Sequence, residues 1–191
     1  GIGGGYQGAA QTITINGGFV DANGGNRPTT SGAGAGAGIG GGGYGAGGTI
    51  TINGGTVSAA SNWSTGTFHH IIKAENTEVV INGGIFDANV GGTNTAMLNA
   101  STGSVITING GVFRNVPDGE QIPMFAPYLF TYENGGKVVI NNGTFYGGWR
   151  FSNSSAVPAT TEIYGGNFTV SYDGQSFYAG NNHILTIYGG I

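Results

Sequence analysis

Thr49-Ile50-Thr51-Ile52-Asn53-Gly54-Gly55-Thr56-Val57 holds the unit from which this chain is built. Its centre is an isoleucine, a polar or aromatic residue and two small turn residues. That phrase occurs seven times in 191 residues, as Ile15-Asn16-Gly17-Gly18, Ile52-Asn53-Gly54-Gly55, Ile81-Asn82-Gly83-Gly84, Ile108-Asn109-Gly110-Gly111, Ile140-Asn141-Asn142-Gly143, Ile163-Tyr164-Gly165-Gly166 and Ile187-Tyr188-Gly189-Gly190. A phrase fixed at a period of tens of residues marks a repeat architecture, in which each unit is stable only against its neighbours. The spacings are 37, 29, 27, 32, 23 and 24 residues. The shortest suit one turn of a β-solenoid with three short strands. The longer ones read as the same turn carrying loop insertions.

The residues before each phrase alternate. Two places ahead of the isoleucine stands Ile13, Ile50, Val79, Ile106, Val138, Thr161 or Leu185. In a strand these two positions share a face, because side chains alternate with period two. An inward pair therefore repeats in each coil, and Ile15, Ile52, Ile81, Ile108, Ile140, Ile163 and Ile187 are expected to form one core column. Between them Thr14, Thr51, Val80, Thr107, Val139, Glu162 and Thr186 look outward. Asn-Gly and Gly-Gly bend the chain at low steric cost. They also signal hairpins, but a hairpin protein has no reason to repeat one inward isoleucine seven times. Five places beyond the isoleucine come Val20, Val57, Phe86, Phe113, Phe145 and Phe168, which begin the next inward face. The asparagines Asn16, Asn53, Asn82, Asn109 and Asn141 are placed for a hydrogen-bonded ladder up the turn, as in other cross-β stacks. Tyr164 and Tyr188 replace them in the last coils, as a stacked pair.

The glycine runs keep the register. Ile2 and Ile39 each lie thirteen residues before their isoleucines, Ile15 and Ile52. The expected architecture is all-β: a right-handed parallel β-helix of about seven coils, with residues 1–191 as one solenoid domain. Residues 1–60, with three aromatics, read as thin glycine-rich coils, and residues 121–191, with fourteen, as wider aromatic-rich ones.

Composition narrows the function classes. Charged residues make up 7% of the chain, against about 25% in ordinary domains. The formal net charge of −4, with five scattered basic residues, argues against nucleic acid, which calls for a basic stripe. No run of eighteen apolar residues is present, so no span of a membrane is expected in this segment. The absence of cysteine removes disulfides and thiolate metal sites. The chain opens without methionine or a signal peptide, and both ends fall inside a repeat and are nearly uncharged. It is therefore expected to be a mature or excised piece that associates end to end or continues into adjacent coils of a longer chain.

The phrase Thr49-Ile50-Thr51-Ile52-Asn53-Gly54-Gly55, preceded by Ala37-Gly38-Ile39-Gly40-Gly41, resembles the repeats of large secreted surface proteins of gut-type bacteria, of the right-handed β-helix, adhesin-like class. The resemblance is close in the first two coils and looser in the last three. It implies an extracellular or cell-surface setting and a β-helical stalk, and it carries no catalytic residue across. Viral and phage tail fibres use similar solenoids.

Several chemistries can be weighed against that. Glycan hydrolysis requires two carboxylates about 5–10 Å apart. Asp21 and Asp87 share an offset, six beyond the isoleucine, but Ser58 stands between them; Glu75 and Glu78 lie near one another in one coil. Neither pair has a basic partner of the kind lyases use to abstract a proton, and all four read as solvated acids, so no catalytic residue is assigned. Adjacent His69 and His70 point to opposite faces of a strand, His183 is remote, and no calcium motif is present; no metal or cofactor is expected. An outward threonine ladder of the ice-binding kind is broken at Glu78/Val80 and Lys137/Val139. The best binding candidates are aromatic: Trp149, Tyr146 and Phe151 after a glycine-rich turn, and Trp63 in another insertion, since sugars stack on such rings. The expectation is a non-enzymatic structural or adhesive segment of an extracellular fibre or surface protein. The alternatives are a glycan-binding module or a polysaccharide-degrading β-helix.

Overall fold

A computed structural model describes residues 1–4, 8–9, 11–24, 37–41, 48–59, 69–88, 95–114, 128–133, 135–147, 149–151, 156–169, 177–179 and 181–189. At 59, 69, 88, 95, 128–133, 149–151 and 177–179 the description is of the backbone alone. These residues form twenty strands and no helix.

Seven strands carry the isoleucine phrase and form one sheet: β2 (Thr12–Ile15), β5 (Thr49–Ile52), β8 (Glu78–Ile81), β11 (Val105–Ile108), β14 (Lys137–Ile140), β17 (Ala159–Ile163) and β20 (His183–Ile187), in that spatial order. The strands after the turn form a second sheet: β3 (Phe19–Asp21), β6 (Thr56–Ala59), β9 (Ile85–Ala88), β12 (Val112–Arg114), β15 (Thr144–Tyr146) and β18 (Asn167–Thr169). A third sheet orders β1 (Ile2–Gly3), β4 (Ile39–Gly40), β7 (His69–Ala74), β10 (Thr95–Ser101) and β13 (Tyr128–Glu133). The remaining pair, β16 (Trp149–Phe151) and β19 (Phe177–Ala179), makes a small fourth sheet, with β16 lying beside β13. Every pairing joins a strand to the one three later in the chain, and every pairing is parallel. The molecule is thus all-β, built from three large parallel sheets, none closed on itself.

Register follows the sequence phrase. Ile15 faces Ile52, and the pairing continues through Ile81, Ile108, Ile140 and Ile163 to Ile187. The glycine-run isoleucines pair as well, Ile2 with Ile39 and Ile39 with Ile72. Equivalent residues therefore sit one strand spacing apart, about 4.8 Å, and like packs on like. Ile52, Ile81, Ile108, Ile140 and Ile163 are fully buried and Ile15 nearly so. Beside them Ile50, Val79, Ile106 and Val138 fill the second inward column. Each such side chain contributes about 1.5–3 kcal/mol by leaving water. The third inward column is aromatic. Phe86, Phe113, Phe145 and Phe168 stack with centroids 4.7, 4.9 and 4.9 Å apart. Those distances match the strand spacing, so the backbone sets the ring separation.

Ile187 departs from the expected buried column. It is 59% exposed, because no described strand stacks beyond β20. The third sheet departs in the other direction. Both alternating sets on β7 and β10 are buried, so that Ile71 and Ile72, and Met97 and Leu98, are all out of water. Period-two reading predicts one wet face there; this sheet is covered on both sides at these strands.

The turn is held by its second glycine. Gly18, Gly55, Gly84, Gly111, Gly143 and Gly166 all have positive φ, between +87° and +142°. A Cβ at Gly84 would also stand 2.9 Å from the carbonyl oxygen of Gly55 in the preceding turn. The turn backbones hydrogen-bond across that close approach: Ile85 N–H donates to Gly55 O at 2.8 Å, and Asn82 N–H to Ile52 O at 2.8 Å.

Substitutions at three positions test this packing. Ile108→Asp buries an unpaired charge in a fully buried site and should abolish cooperative folding; Ile108→Ala should cost about 2–5 kcal/mol. Ile187→Ala should lower the melting temperature far less, and equal effects at 108 and 187 would contradict the column. Gly84→Ala should destabilise by more than about 1 kcal/mol through its positive φ and the clash with Gly55. Thermal melts followed by circular dichroism would read all three.

Candidate functional site

Three surfaces result from the register. The first is the turn edge. Asn53 Nδ2 donates to Asn16 Oδ1, Asn82 to Asn53, Asn109 to Asn82 and Asn141 to Asn109, each at 2.8 Å. The five exposed amides form one continuous ladder, all oriented alike. Chains of this kind polarise one another, and each bond contributes about 0.5–1.5 kcal/mol net. Where the ladder stops, Tyr164 and Tyr188 stack with centroids 4.6 Å apart and planes 9° from parallel. Both rings are exposed.

The second surface is the outer face of the sheet that contains β15. Its inward side carries the phenylalanines. Its outward positions form two columns. One runs Phe19, Thr56, Ile85, Val112, Thr144 and Asn167. The other runs Asp21, Ser58, Asp87, Arg114, Tyr146 and Thr169. Phe19 is 73% and Tyr146 42% exposed. At the middle of this stripe Arg114 grips Asp87 with two donors, Nε to Oδ1 at 2.7 Å and Nη2 to Oδ2 at 3.0 Å. Asp87, which the sequence reads as a solvated surface acid, is instead ion-paired. Asp87 and Arg114 share one offset in adjacent repeats, six beyond Ile81 and Ile108. That signal was available, and comparing carboxylates only with carboxylates missed it. Glu75 likewise pairs with Lys73 at 3.3 Å within β7 and the turn after it.

Of the four aromatic candidates, Tyr146 is the one whose side chain is placed. It lies in register with Arg114 and Thr169, at the edge of the polar stripe. Trp149 and Phe151 lie on β16, a strand of a different sheet, in register with Phe177 and Ala179. The structure thus puts them on a strand rather than in a loop insertion. Trp63 lies outside the described residues. Tyr146 and the Trp149–Phe151 strand follow one another in the chain but belong to separate sheets.

The third surface is the outward face of the isoleucine-bearing sheet. Thr12 and Thr14 pair with Thr49 and Thr51, after which Glu78, Val80, Lys137 and Val139 interrupt the threonines. Lys137 Nζ reaches Glu162 Oε1 at 2.8 Å across two adjacent strands. Exposed pairs like this contribute little, about 0–1 kcal/mol.

His70 and His183 have packing roles. His70 is buried with Nδ1 3.4 Å from Ala96 O. His183 occupies the inward row of β20, and its Nε2 lies 3.1 Å from the hydroxyl of Thr161. Thr161 is a fully buried polar residue in a column that is otherwise apolar, and the imidazole pairs with it. Among the described residues no group of three or more His, Asp or Glu stands close enough to hold a metal ion. No helix among them is long and apolar enough to cross a membrane. No protein family, characterised protein or solved structure compared with the chain matches it.

Burial pushes the His183 imidazole down from the usual 6.5 to about 4. The folded state therefore holds this ring neutral where the unfolded chain protonates it. The stabilisation is complete above pH 6.5 and is lost as pH falls towards about 4. Melting temperatures measured between those limits should fall with acid in the native chain and fall less in His183→Asn. Parallel curves for the two proteins would exclude this account.

Proposed function

We propose that the chain is a right-handed parallel β-solenoid of about seven coils, and that it serves as a non-enzymatic structural or adhesive segment of an extracellular fibre or cell-surface protein. The observation that carries this reading is the unbroken register of the isoleucine-bearing sheet, from Ile15 to Ile187. Six steps of about 4.8 Å make a rod about 29 Å long. It is braced inside by isoleucine and phenylalanine columns and outside by the asparagine ladder. Such a body transmits load and displays repeated side chains at fixed intervals, which suits a stalk. The resemblance of the Thr-Ile-Thr-Ile-Asn-Gly-Gly phrase to surface-protein repeats favours the same setting.

Ile184 and Ile187 on β20 and Tyr188 directly after it are 53%, 59% and 62% exposed. They favour a further coil stacking there, from a longer chain or from a second copy. Sedimentation velocity of the purified chain over a range of concentrations tests the second case. We expect concentration-dependent association, which Ile187→Lys abolishes. A monomer at all concentrations would remove self-association from the proposal.

A glycan-binding role is the second reading, favoured by exposed Tyr146 beside the Arg114–Asp87 pair. Trp149 and Phe151 follow within the same stretch of chain, and Trp63 remains a candidate from the sequence. Sugars present apolar faces to rings and hydroxyls to charged, planar groups, and this stripe offers both. On a glycan array, binding that weakens by about threefold to tenfold in Tyr146→Ala would support it, given that an aromatic contact contributes about 0.5–1.5 kcal/mol. Turnover of a polysaccharide, lost in Asp87→Ala or Asp21→Ala, would instead move the chain to the glycan-degrading class.

A further inference from the structure

Seven asparagines are followed directly by glycine: Asn16, Asn23, Asn53, Asn82, Asn109, Asn134 and Asn142. This dipeptide is chemically weak. Glycine has no side chain to hinder its own backbone nitrogen, and that nitrogen can turn on the amide carbon of the asparagine before it. Folding decides which of these pairs react.

Asn16, Asn53, Asn82 and Asn109 belong to the ladder. In Asn53, Asn82 and Asn109 the Nδ2 donates to the asparagine before and the Oδ1 accepts from the one after, at 2.8 Å. Attack on such an amide must first pull it out of two hydrogen bonds. Asn142 stands one place later in its turn, in the column otherwise held by Gly110 and Gly165. Glycine below and glycine above offer no side chain for a ladder. The amide instead folds back on its own turn, and Gly143 N–H donates to Asn142 Oδ1 at 2.8 Å. The oxygen that accepts in this contact is bonded to Cγ, the carbon the nitrogen would attack. Asn142 is also exposed, so water and base reach it.

We propose that Asn142 is a site of spontaneous covalent modification, an Asn-Gly pair that the folded chain leaves open while the ladder protects Asn53, Asn82 and Asn109. The Gly143 backbone nitrogen gives its proton to hydroxide or water and bonds to Cγ of Asn142. The Cγ–Nδ2 bond breaks, and the amide nitrogen takes a proton from water and leaves as ammonia, so the base is regenerated. The resulting five-membered imide adds water at either carbonyl, giving aspartate or isoaspartate. No oxidation or reduction is involved. The isoaspartate product inserts a methylene into the main chain between β14 and β15. Gly143 O accepts from Asn167 N–H at 2.8 Å in the next turn, so the lengthened chain disturbs that contact.

The test is incubation of the folded full-length chain at mildly alkaline pH, followed by peptide mapping with mass spectrometry and enzymatic methylation of isoaspartate. Conversion at Asn142 should exceed that at Asn53, Asn82 and Asn109 by about tenfold or more, since those must open locally first. In the denatured chain in the same buffer the four rates should converge. Asn142→Gln should remove the fast conversion and leave the melting temperature unchanged. Equal rates at the four positions of the folded chain, or slowest conversion at Asn142, would overturn the proposal.

Discussion

The structure depends on one constraint, the parallel pairing of each strand with its own repeat three strands later. Parallel register places every side chain directly over its equivalent, about 4.8 Å away. A residue type succeeds only if it packs well against itself. Isoleucine and valine do so by interlocking, phenylalanine by stacking, asparagine by donating and accepting with one amide, and glycine by leaving room for the next backbone. The chain uses these five at the five positions where self-packing is required. Positions free of that demand, on the outer faces, vary from threonine to glutamate, valine, lysine and isoleucine.

That rule explains what could be read from the sequence. Ile52, Asn53 and Gly55 announce inward column, ladder and turn within four residues, because each meets itself in the next repeat. The parallel pairing and its register follow from the phrase and need no further information. Other contacts are diagonal or join unlike residues, and these were illegible. Lys137 meets Glu162 from different offsets. Thr161 looks like a flaw in an apolar column until His183 arrives beside it from the next strand. Ile71 and Met97 occupy outward positions that are buried, since burial of an outer face depends on what crosses it rather than on period two. For the candidate site, the position of Tyr146 beside Arg114 was encoded in a shared offset. The strand formed by Trp149-Arg150-Phe151 was not encoded: three residues are too short to show alternation.

The breaks in the repeat carry as much meaning as the repeat itself. Asn141-Asn142-Gly143 places a side chain where other turns have none, and local chemistry changes with it. Tyr164 and Tyr188 end the amide ladder by exchanging hydrogen bonding for ring stacking at the same spacing. Arg114 turns a column of small and acidic residues into a paired, planar group. In a body whose regular positions are occupied by self-packing, individuality resides in such exceptions, and recognition has only these to act on.

The asparagine ladder has a direction. Every amide from Asn53 to Asn141 donates toward the repeat before it, so five carboxamide dipoles add head to tail along the stack, with the donor pole at Asn16 and the acceptor pole at Asn141. In this the ladder resembles the aligned peptide groups of a helix, whose small moments sum to a field along the axis. The stack is consequently electrically polar even where it bears no formal charge. Its two ends are chemically distinct, and such stacks laid side by side would favour alternating orientations over parallel ones.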